Sequence, residues 1–221
     1  MKKIVQLFIL LITVSVVSQE KLEEGVIKMT MKMSTDNAQA KAMFQMIGEV
    51  PITYYFKNNM SRTEQKHNMI GDNTTIIDNN KKKMLLLSDN PMAGKIYIEK
   101  DLNNSKPDDV TVSENNKTMT IAGYNCIGYD VVIKKGSIET KLTLFMTEKI
   151  SAPTQNTVVI QDKIKGFPML TIVNVNQGGI DMEVELKVTE VTKKEVDNNL
   201  FDFSIPDGFK KPEKPSPAGI D

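Results

Sequence analysis

The plainest pattern in the chain is an alternation with a period of two. From Val26 to Ser34 the apolar Ile27, Met29, Met31 and Met33 fall on one side, and Lys28, Thr30, Lys32 and Ser34 on the other. That is the period of a half-buried strand. A helical stretch follows, with Asp36 placed to cap a helix through Ala38, Ala40, Ala42, Met43, Met46 and Ile47, ended by Gly48 and Pro51. Strand patterning resumes at Ile52 with Tyr54 and Phe56, and is read as continuing through Met60, Arg62 and Glu64. Thr74–Ile77 and Met84–Leu87 flank Asp78-Asn79-Asn80-Lys81, a turn-forming run suited to a hairpin. Lys95–Glu99, Thr118–Ala122 and Ile127–Ile133 are further strands, and Gly123 and Gly128 mark places for a bulge or a close backbone approach. Asn103–Asp109, with Pro107, reads as a surface loop.

Two hairpins are specified to the residue. A turn at Gly136-Ser137 sets Tyr129 opposite Leu144, Val131 opposite Leu142 and Ile133 opposite Thr140, with Lys134 facing Glu139. A turn at Gly178-Gly179 pairs Val175 with Met182 and Val173 with Val184, while Asn174 meets Glu183. A slip of one residue would place apolar against polar throughout, so each register is tightly constrained. The expected fold is mainly β with one short helix: a curved antiparallel sheet of half-barrel type.

The ends of the chain change the picture. Lys2 and Lys3 precede an apolar run from Ile4 to Val17, and Val16 and Ser18 suit a cut before Gln19. Residues 1–18 therefore read as a secretory signal peptide, with an uncleaved anchor as the rival reading. No cysteine lies near that cut, so a lipid-modified N-terminus is not expected. Residues 19–209 read as a single β-rich domain, and 210–221, with Pro212, Pro215 and Pro217, as a disordered tail. The expected location is periplasmic or secreted, with no integral membrane segment once the leader is removed.

Charge and composition narrow the function. The chain balances 28 basic against 28 acidic residues, which provides no basic field for nucleic acid. Cys126 is the single cysteine, so no internal disulfide forms, and a small buried strand residue is the expected role. His67 is the single histidine, flanked by Lys66 and Asn68, and reads as a solvated surface residue. One histidine leaves no Ser-His-Asp arrangement to assemble elsewhere and no His-rich zinc site. Asp181, Glu183 and Glu185 alternate with Ile180, Met182, Val184 and Leu186, the pattern of a solvated strand face rather than of paired catalytic carboxylates. No catalytic residue and no cofactor is assigned.

Fourteen methionines raise two further readings. Met29-x-Met31-x-Met33 has the spacing of a thioether Cu(I) site, but neither His nor Cys lies beside it, and an apolar strand face explains it without metal. A sheet face carrying Met29, Met31, Met33, Tyr54 and Phe56, with Phe44 and Met46 of the helix at its mouth, would instead form a soft wall around an apolar ligand.

Several segments in order carry a resemblance: Met29-Thr30-Met31-Lys32-Met33, Ile52-Thr53-Tyr54-Tyr55-Phe56-Lys57, Ser61-Arg62-Thr63-Glu64, Thr75-Ile76-Ile77-Asp78, Ile121-Ala122-Gly123-Tyr124-Asn125-Cys126, Lys165-Gly166-Phe167-Pro168-Met169 and Leu200-Phe201-Asp202-Phe203-Ser204-Ile205-Pro206. Together they resemble the exported family called domain of unknown function 4412, common in Bacteroidetes, over about residues 22–210. The resemblance implies kinship with the lipoprotein-carrier superfamily typified by LolA and LolB, whose curved sheet wraps a short helical plug. It supplies no catalytic residues. The leading expectation is a non-enzymatic envelope binding or carrier protein whose partner is a lipid, another apolar ligand or a lipidated envelope protein. The alternative is a structural or interaction protein of the envelope with a closed core.

Overall fold

The structure, a computed structural model, describes residues 20–104, 109–135, 138–154, 163–177 and 179–212. The leader at 1–18, the Gly136-Ser137 turn, Gly178 and the tail from residue 213 onward lie outside the described residues. One meander comprises β1 (Glu24–Ser34), β2 (Val50–Lys57), β3 (Met60–Gln65), β4 (Asp72–Asp78), β5 (Lys83–Asn90) and β6 (Gly94–Asp101), with α1 (Ala38–Ile47) between its first two strands. A second comprises β7 (Asp109–Ile121), β8 (Tyr124–Lys135), β9 (Ile138–Thr147), β10 (Phe167–Gln177) and β11 (Ile180–Thr192). The two join where β1 pairs with β11, giving one sheet in the order β6-β5-β4-β3-β2-β1-β11-β10-β9-β8-β7. It is the mainly β, curved and unclosed half-barrel that the alternation predicts.

Chain connectivity demands the curvature. Ten spacings of about 4.8 Å would hold the edge strands β6 and β7 about 48 Å apart in a flat sheet. Asp101 ends β6 and Asp109 opens β7, and eight peptide steps reach at most ~29 Å. The sheet therefore bends until its edges approach. Tyr54 on β2 and Phe167 on β10 confirm the bend, with ring centroids 5.3 Å apart although two strands lie between them.

Both hairpin registers stand as expected. Tyr129 opposes Leu144, Val131 opposes Leu142 and Lys134 opposes Glu139; Val175 opposes Met182 and Val173 opposes Val184. Gly128 answers to a close approach: β7 bulges between Glu114 and Thr118, and a Cβ at Gly128 would strike the Asn115 side chain. Two local expectations need correction. The run from Ile52 to Glu64 is two strands, because Asn58 adopts φ 53° and reverses the chain so that Lys57 pairs with Met60. The helix cap is Asn37, whose Oδ1 accepts the Ala40 N–H at 3.0 Å, rather than Asp36.

The two ends of the half-barrel differ. One end carries the β2–β3 and β4–β5 turns and the described parts of the connection from β9 to β10, residues 148–154 and 163–166. There Ile27, Tyr54, Phe56, Phe167, Met169 and Val188 cluster with Leu22 and Ile150 from flanking segments. A parallel bridge of Leu22 to Ile150 holds those segments in place. The Tyr54 hydroxyl and the Ser61 hydroxyl both donate to the Pro153 carbonyl, the latter at 2.9 Å, so the buried polar groups at this end are paired. The other end carries α1, the β3–β4 loop and the β5–β6 turn. On the opposite face of the sheet, Phe203, Ile205 and Phe209 cover Ile76, Leu85, Leu87 and Tyr97. That C-terminal strap finishes against the edge strand β6, where Lys210 donates to the Lys95 carbonyl and accepts from Tyr97.

Candidate functional site

The open end forms a groove. Register sets an apolar row beside it, from Met33 on β1, which lines the groove, through Val184 and Val173 to Leu142, which do not, and Met182 opposes Val175 one step nearer the strand ends. Met33, Val184 and Val173 are half-buried, whereas Leu142 is buried in a cluster with Val110, Val131, Leu144 and Ile164. Between α1 and the ends of β1, β9, β10 and β11 lies an open cavity of about 840 Å³. Met33, Phe44, Val175 and Met182 are its apolar lining. Lys32, Lys41 and Lys141 mix with carboxylates, among them Asp36, Glu49 and Glu183, around it.

The helix over this groove is lightly held. Phe44 is its one buried residue, while Met43 and Met46 stand 50% and 72% exposed. Its N-terminal approach is fixed where the Thr35 hydroxyl donates to the Asp181 carbonyl at 2.6 Å. Its C-terminal end is capped where Gly48 N–H donates to Phe44 O at 2.9 Å. Gly48 has φ 71°, a conformation glycine adopts without penalty.

The seven side chains singled out from sequence divide between the two ends. Met33 and Phe44 line the groove. Met31 is half-buried between Val50 and Leu186, one step deeper along the strand. Met29 opposes Ile52 and Val188 and packs against the core cluster. Tyr54 and Phe56 belong to the filled end, with Phe56 wholly enclosed; burial pushes the Tyr54 phenol far above the usual range. Met46 points to solvent, away from the lining. The residues missed from sequence are Val175 and Met182, which reach the groove only because β10 and β11 end beside α1.

His67 differs from its expected role. Its ring is half-buried, with Nε2 3.1 Å from the Ile47 carbonyl at the end of α1 and Nδ1 accepting the Met69 and Ile70 N–H groups at 3.2 and 3.4 Å. Cys126 is buried as expected, and burial raises its thiol to about 11. Among the described residues, no three or more His, Cys, Asp or Glu side chains converge on a point where a metal would sit. Also among them, no helix is long and apolar enough to cross a membrane.

No curated protein matches the chain in sequence. Among solved structures it is similar to PNGF-II, at TM-score 0.48 and 14% identity, over 85% of this chain and 31% of that one. The chain thus spans under a third of that structure's length, and the likeness carries no functional argument. The seven ordered motifs have a firmer counterpart: residues 24–209 match the family described as Domain of unknown function (DUF4412), and the chain belongs to that family.

Proposed function

We propose that this chain is a non-enzymatic binding or carrier protein of the cell envelope, exported behind residues 1–18, which holds an apolar chain or a lipidated partner beneath α1. The observation that supports the reading is the groove of about 840 Å³ with Met33, Phe44, Val175 and Met182 in its lining. Its volume falls in the range of sites that enclose one small ligand, roughly 300–1,000 Å³. Flexible methionine side chains adjust to chains of differing shape, and the charged rim suits a ligand whose polar head stays in water. Kinship with the lipoprotein-carrier superfamily is part of this proposal. The enclosed cluster around Tyr54 and Phe56 favours the second reading, a structural or interaction protein, for the other end of the molecule.

Titration with a fluorescent fatty acid tests the choice. The carrier reading expects saturable binding at about micromolar concentration, weakened at least roughly tenfold by Val175→Trp, which fills the groove, with an unchanged unfolding midpoint. Absence of saturable binding to the wild type overturns it in favour of the structural reading. Equal binding by both proteins shows that the groove is not the site.

A further inference from the structure

We propose that His67 is a proton-sensitive clip between α1 and the β3–β4 loop, so that mild acid loosens the helix covering the groove. The inference rests on the carrier reading for its purpose, but its structural claim stands apart from any ligand.

The ring is committed on both sides. Nδ1 accepts N–H groups from Met69 and Ile70, at 3.2 and 3.4 Å. A nitrogen that accepts carries no proton, so the proton of the neutral ring resides on Nε2 and is donated to Ile47 O, 3.1 Å away. Among the described residues, this is the one hydrogen bond that joins α1 to the sheet or its loops. It also satisfies one of the carbonyls a helix leaves unpaired at its C-terminus.

The loop is wound tightly around the ring. His67 N–H donates to Asp72 Oδ1 at 3.1 Å, the His67 carbonyl accepts from Gly71 at 2.8 Å, and Asn90 Nδ2 donates to Ile70 O at 3.4 Å. A Cβ at Gly71 would collide with the Asp89 carbonyl, so the loop has little room to shift as a body.

A proton on Nδ1 turns that acceptor into a donor aimed at two other donors. The loop tip must then peel away or the ring must turn, and a turned ring gives up Ile47. One effect opposes this: a helix C-terminus attracts a cation, so imidazolium strengthens the single contact to Ile47 O. The ring keeps that bond only by staying in place, with its new N–H set against those of Met69 and Ile70. The charged groups on the segments that hold the ring are Lys66 before it, Asp72 on β4, Glu49 two residues beyond Ile47, and Asp89 on β5. Asp89 pairs with Lys95 at 3.5 Å, and the Asp72 carboxylate accepts the His67 main chain.

Hydrogen exchange of the ligand-free protein tests the clip. Peptides covering 38–48 and 66–71 are compared at about pH 7.5 and pH 5.5, the span in which histidine changes charge, with correction for intrinsic exchange rates. The wild type should exchange roughly tenfold faster at the acid end in both segments, while peptides from β9 and β10 stay unchanged. His67→Gln, whose amide still donates toward Ile47 but does not titrate, should lose the pH dependence. Unchanged or increased protection of 38–48 in acid overturns the proposal, as does an equal acid response in His67→Gln. Because no ligand is present, either result leaves the carrier reading to its own binding test.

Discussion

The filled end and the open end of this half-barrel are built from the same strands, and β1 shows how they diverge. At one end Ile27 is wholly buried, lying beside Tyr54 and under the connection from β9 to β10. Three turns of the alternation later, Met33 faces a ten-residue helix that buries only Phe44. An unchanged alternation thus meets two different covers. What faces the strand, rather than the strand itself, decides whether an apolar side chain becomes core or ligand wall.

The largest test of that contrast is a pair of truncations. Phe56→Ala removes an enclosed ring and should lower unfolding stability by about 3–5 kcal/mol. Met33→Ala, at a half-buried site, should lower it by roughly 1 kcal/mol. Chemical denaturation of both variants measures the gap, and equal losses would erase the distinction between the ends. A smaller effect is expected from Tyr54→Phe, which removes one of two donors to the Pro153 carbonyl. Because Ser61 still donates there, the loss should be about 1 kcal/mol, read from the same denaturation curves.

The smallest effect lies where the C-terminal strap leaves the filled end. Glu24 accepts the Val196 N–H at 2.7 Å and pairs with Lys57 at 3.0 Å; the first of these, then the lysine, hold its carboxyl below the usual range. A carboxyl depressed in the folded state stabilises it above the unfolded value, and that contribution is lost as pH falls through the folded one. Acid titration of stability below about pH 4.5 should therefore be shallower in Glu24→Gln than in the wild type. Identical slopes would show that the strap is anchored elsewhere.

Much of the fold could be read locally. The registers of β8 with β9 and β10 with β11 follow from alternation around glycine turns, because a slip of one residue exposes the whole apolar set. The break between β2 and β3 was also written in the chain, as Asn58-Asn59, a pair that favours the left-handed turn found there. The join of β1 to β11 was not, since no local pattern relates segments so distant in sequence. That join decides the site: it brings Val184 beside Met33 and so carries β11 and β10 under α1. Tyr54 and Phe56 share a face with Met31 and Met33, and their sequence does not reveal that the segment around Ile150 and Pro153 closes over them. His67 was opaque for a similar reason, as its partner Ile47 belongs to an element with no sequence relation to the loop.

The β1–β11 seam has a consequence for assembly. It ties Lys28 to Glu190 across 162 residues of chain, whereas every other strand pair is formed by neighbours in sequence. Each meander can pair its own strands before the other exists, but the seam closes only after the last strand arrives, and long-range pairing is the slow step of β folding. Until then β1 and β11 are bare edges with matching registers, and such edges join whichever copy they meet first. A chain cut between the meanders would separate two edges whose registers match residue for residue from Met29 to Ser34.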